Sequence, residues 1–142
     1  MPHSDPVNWQ PISEMPLIAA MITASLNDTR EHLGTLTGAR AKPHVLDDAI
    51  IDRVKRVHDE QLEFVDIYAQ QIQRWRRENP STDQTRELER MEEQNRQLRI
   101  VTADVLVLAR ELRKGAINRI IGMSDLEIGL QALLDTRSPG QR

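Results

Sequence analysis

His58 is the residue best suited to chemistry in this 142-residue chain, because imidazole serves as acid, base or metal ligand near neutral pH. It falls on the apolar stripe of a helical segment. Folding the neighbouring segments back against it sets Thr29 and Thr102 in the same layer. Three polar side chains on otherwise apolar seams have two readings. One is the floor of a small ligand-binding or catalytic site, with His58 as acid, base or ligand. The other is a hydrogen-bonded layer that fixes helix register, since a buried imidazole is costly without partners and neighbouring hydroxyls satisfy it. The structural reading is the expected one.

Two acidic runs carry metal-compatible groups, His58-Asp59-Glu60 with Glu63, and Glu31-His32 with Asp28. Carboxylate-bridged metal sites in bundles use Glu-x-x-His on two helices with further glutamates facing inward. Neither run has that spacing, and Asp59, Glu60 and Glu63 lie largely off the seam, so a solvated face is expected and no metal. Arg74-Trp75-Arg76-Arg77 has the look of a basic, aromatic nucleic-acid patch, but Trp75 sits on the buried stripe and the arginines complement a helix C-terminus. Arg40, Lys42 and His44 form a smaller basic group without a glycine-rich phosphate cradle. A helix-turn-helix through Gly122-Met123 would present Asp125 and Glu127 where base contacts are made, and two carboxylates there repel phosphate. No nucleophile motif or nucleotide loop is present, so no catalytic residue and no cofactor are expected.

The net charge of -3 and pI near 5.8 argue against broad nucleic-acid binding, which depends on a basic surface. The absence of cysteine removes disulfides and thiolate metal sites. The first residues lack the basic-then-apolar order of a signal peptide, and no apolar run approaches a membrane span. A cytoplasmic protein with no membrane association is expected. Only 3% of residues are aromatic, against 39% hydrophobic in all, so the core must be aliphatic, which favours interlocking helices.

Those helices are written in the spacing. Leu88, Met91, Asn95, Leu98, Thr102, Val105, Ala109, Leu112 and Ala116 alternate steps of three and four, the seam of a long helix packed along others. Met15, Ala19, Ile22, Leu26, Thr29, Leu33 and Leu36 do the same. Ser13 reads as the N-cap of this first helix, which is expected to end near Thr37 with Gly38 as its C-cap. A second helix starts at the Asp47 cap, buries Ile51, Val54, His58, Gln61 or Leu62, Val65, Tyr68, Ile72 and Trp75, and closes at Asn79-Pro80. Ser81 and Gln84 form a capping box for the third. Ser124 and Glu127 form another, for a short helix over about Asp125 to Leu134.

The expected fold is all-α, an elongated antiparallel three-helix bundle with a short C-terminal fourth helix. Residues 1–12 form an extended N-terminal segment, 13–134 a single helical-bundle domain, and 135–142 a flexible tail. The antiparallel arrangement brings Trp9 toward Trp75 at one end. More apolar residues are present than the seams use: Ile50, Val57 and Phe64 recur every seven residues beside the main stripe of the second helix, and Val101 and Leu108 lie beyond the ladder of the third. Such a surplus marks a protein contact. The expectation is a non-enzymatic interaction protein, a homodimer or the binder of a protein partner, with Ile50, Val57, Phe64, Val101 and Leu108 at the interface. Binding of a small ligand by the polar layer comes second, and DNA regulation third.

Overall fold

A computed structural model of the chain describes residues 7–42 and 46–122, with side chains as far as residue 115. A 3₁₀ turn, Ile12–Glu14, leads into α1, Met15–Ala41; α2 spans Asp48–Arg76 and α3 Thr82–Gly122. No strand occurs among the described residues. The fold is an all-α, antiparallel three-helix bundle, with α1 and α3 running one way and α2 the other. The 41 residues of α3 extend it to about 60 Å at the standard rise. The expected fourth helix, the tail at 135–142 and residues 1–6 lie outside the described residues.

Two of the three helix starts follow their sequence signals. Asp47 caps α2 by accepting from the Ile50 N–H at 2.8 Å. Ser81 and Gln84 form the reciprocal box, with the Ser81 N–H donating to Gln84 Oε1 at 2.8 Å and the Gln84 N–H to Ser81 Oγ at 3.1 Å. Between them, Asn79 takes a left-handed conformation with φ 52°, which reverses the chain before Pro80.

The start of α1 differs from expectation. Ser13 is inside the 3₁₀ turn, and the cap position is Glu14, whose side chain makes no capping bond. Pro16 stands in the first turn and has no N–H, so one of the donors a cap would satisfy is missing. The end differs too. α1 continues through Gly38 to Ala41 because Leu36 and Ala39 remain buried against the bundle, and tertiary burial overrides a local stop signal.

The core is one continuous seam of three clusters. Met15, Ala19, Ile22, Tyr68, Ile72, Trp75, Leu88 and Met91 fill one end; Leu26, Val65, Leu98 and Val101 fill the middle; Leu36, Val105 and Leu108 fill the other end. Every position of the α3 ladder from Leu88 to Ala109 is buried. α1 and α2 each pack along α3 and only sparsely along each other. α3 is therefore a shared wall and needs an apolar face wide enough for two helices.

That geometry corrects part of the surplus. Val101 and Leu108, expected at an interface, are buried within the chain at 8% and 4% exposure. A helix facing two neighbours uses residues that a single seam leaves over.

Candidate functional site

The polar layer forms where the seams carry Thr29 and Thr102, both buried. The link between them is Gln61, not His58. Its Nε2 donates to Thr29 Oγ1 and to Thr102 Oγ1, each at 2.8 Å. The two hydrogens of one amide nitrogen are thereby spent on α1 and α3 from a single α2 side chain. Thr29 in turn donates to the Ser25 carbonyl at 2.7 Å. The layer ties all three helices at one height.

His58 is buried one turn away and faces a residue that the seam pattern did not select. Its Nδ1 lies 2.7 Å from the Val54 carbonyl, which can only accept, so that nitrogen carries the proton. Nε2 of the neutral ring is then an acceptor, and His32 Nδ1 donates to it at 3.3 Å. The rings meet edge to face, 5.3 Å between centroids. Burial is the main cause that holds His58 below its ordinary pKa; the Val54 bond and the nearby Asp59 pull the other way, and His32 adds to the lowering. Together the two rings bridge α1 and α2.

Chemically, this arrangement is closed. The hydroxyl oxygens are engaged with the Gln61 amide nitrogen, and both His58 nitrogens with the Val54 carbonyl and His32. Among the described residues, no three His, Asp or Glu converge as a metal site would require. Thr29 and Thr102 are brought together, and His58 is turned aside to His32. Gln61 stood on the stripe as one of two possible positions, and Glu31-His32 stood out only as an acidic run. A further buried amide lies on the α2–α3 side, where Asn95 Nδ2 donates to the Val65 carbonyl at 3.0 Å. Its Oδ1 has no hydrogen-bond partner among the described residues.

The open feature is apolar. Because α1 and α2 are spaced apart, the flank of α2 beside α1 is left uncovered. Ile50 and Val57 are each 44% exposed and Phe64 is 54%. Leu17 and Met21 of α1 are exposed as well. Near Phe64 they border a hollow of about 440 Å³ with Trp9, Ile67 and Tyr68. Trp9 was expected against Trp75, but its ring lies under the Arg74 guanidinium at 4.2 Å. Trp75 is covered instead by the backbone of Gln10, whose carbonyl accepts from the indole Nε1 at 3.0 Å. None of the described helices is long and apolar enough to cross a membrane. No protein family, curated protein or solved structure matches this chain.

Proposed function

We infer that this is a non-enzymatic helical interaction protein of the cytoplasm, acting through association with a second copy of itself or with a protein partner. The observation that carries the reading is the exposed row of Ile50, Val57 and Phe64 beside Leu17 and Met21. Covering large apolar side chains is worth about 1.5–3 kcal/mol each, so the uncovered row is a driving force toward a contact. Ligand binding through Thr29, His58 and Thr102 has less support, because Gln61 bonds both threonines and the Val54 carbonyl and His32 take the two His58 nitrogens. Nucleic acid has less again, since the outer face of α2 mixes both signs of charge.

Sedimentation velocity on the full-length chain at tens of micromolar tests this, wild type against Phe64→Glu. Self-association in the wild type that Phe64→Glu abolishes, with unchanged helical circular dichroism, supports the reading. A monomeric wild type that is indistinguishable from Phe64→Glu removes self-association and leaves the row to a different protein.

A further inference from the structure

We propose that two copies of the chain associate through α2 in antiparallel register, about a twofold axis at Val57. The proposal rests on the self-association reading above and goes further by fixing orientation and register. Ile50, Arg53, Val57, Glu60 and Phe64 alternate steps of three and four along one face of α2, a second seam beside the one that faces the core. Its apolar members are the exposed row.

The two charges on this seam, unlike those at the α2–α3 border, lack partners among the described residues. At the α2–α3 border, Arg113 holds Asp48 and Asp52, Arg99 holds Asp66, and Arg76 holds Glu92. Arg53 and Glu60 are exposed and make no ion pair or hydrogen bond among the described residues. They stand on opposite sides of Val57, four residues before it and three after.

That placement selects the orientation. A parallel pair of α2 helices sets Arg53 against Arg53 and Glu60 against Glu60. An antiparallel pair sets Arg53 of each copy against Glu60 of the other, so both contacts become attractive, and opposite charges across a pairing seam determine which register is allowed. The same half-turn carries Ile50 of one copy to Phe64 of the other. There it meets the hollow formed by Trp9, Leu17, Met21, Phe64 and Ile67, an apolar recess at the place where an apolar side chain arrives. The contact is isologous and closes at two copies, the commonest symmetric assembly.

Charge exchange on the full-length chain tests the register by sedimentation equilibrium. Arg53→Glu alone and Glu60→Arg alone each create two like-charge contacts and raise the dimer Kd roughly tenfold or more. The double variant R53E/E60R recovers the wild-type Kd. An equimolar mixture of the two single variants forms a heterodimer tighter than either variant forms alone. Because both side chains are exposed and unpaired, circular dichroism of every variant matches wild type. If the single variants dimerise as wild type does while Val57→Glu dissociates, self-association stands and the antiparallel register is overturned. A monomeric wild type overturns both, and assigns the face to another occupant such as residues 123–142 of the same chain.

Discussion

His32 Nδ1 and His58 Nε2 face each other at 3.3 Å across the space between α1 and α2, and with the His58 ring neutral its Nε2 accepts. The Val54 carbonyl fixes the proton on His58 Nδ1. A second proton, on Nε2, turns that acceptor into a donor and places a charge on a buried ring. Burial makes that proton costly, which is why the folded pKa lies below the ordinary value of 6.5.

A pH dependence follows with a definite sign. The unfolded chain protonates His58 near 6.5, and the folded chain only at lower pH, so between those values the unfolded state binds more protons. The contribution of His58 is fully present above pH 6.5 and is lost as pH falls toward the folded pKa. Urea midpoints measured from about pH 8 to about pH 5 are expected to fall on the acid side, and the fall is expected to flatten in His58→Gln. An unchanged slope in His58→Gln assigns the acid sensitivity to other groups.

The Gln61 side chain, on α2, joins α1 and α3, so its loss is felt on both. Gln61→Leu removes both amide donations and leaves the buried Thr102 hydroxyl without that partner. A cost of about 1–3 kcal/mol is expected in chemical denaturation. Replacing the whole layer with apolar groups, Thr29→Val, Gln61→Leu and Thr102→Val together, is expected to recover most of it, because no polar group then remains unsatisfied. A triple variant no more stable than Gln61→Leu would contradict this account.

The ladder from Leu88 to Ala109 was legible because helical burial repeats with the helix period, whatever the helix packs against. The caps at Asp47 and at Ser81 with Gln84 were legible because their bonds close within four residues. Val101 and Leu108 were not. The width of the α3 stripe is visible in sequence, but whether the excess faces a second helix or solvent depends on the spacing of α1 and α2. The same spacing placed His32, off the α1 ladder, against His58. It also let Gln61, three residues on, take the position between the threonines. Ser13 was misplaced because its cap signal competed with Pro16 two positions into the helix.

The N-terminal segment is tied to α2 through Gln71. The Gln10 N–H donates to Gln71 Oε1 at 2.7 Å, and Gln71 Nε2 returns a bond to the Gln10 carbonyl at 3.3 Å, the same carbonyl that holds the Trp75 indole. Gln71→Ala is expected to release residues 7–11 and expose Trp75. In a Trp9→Phe background, a red shift of the remaining tryptophan emission and a loss of about 1–2 kcal/mol are expected. Emission unchanged from the parent would show that the segment is held by other contacts.

Gly34 and Gly38 give a stabilising prediction. Both lie within α1, Met15–Ala41, and a Cβ added at either meets nothing within 4 Å. Glycine was expected at position 38 as a helix stop, yet the helix passes through it, so neither residue contributes a turn or a close approach in return for its flexibility. Alanine at either site restricts the unfolded chain and favours the helix, by about 0.5–1 kcal/mol each. The positions are four apart and so are neighbours on one exposed face, and the double variant Gly34→Ala/Gly38→Ala reads out whether the two gains add. Thermal and urea unfolding of the two single variants and the double variant measure this. A destabilised Gly38→Ala with an undisturbed Gly34→Ala would mean that the last turn of α1 opens at Gly38 in solution, and that the sequence signal for a stop there is obeyed after all.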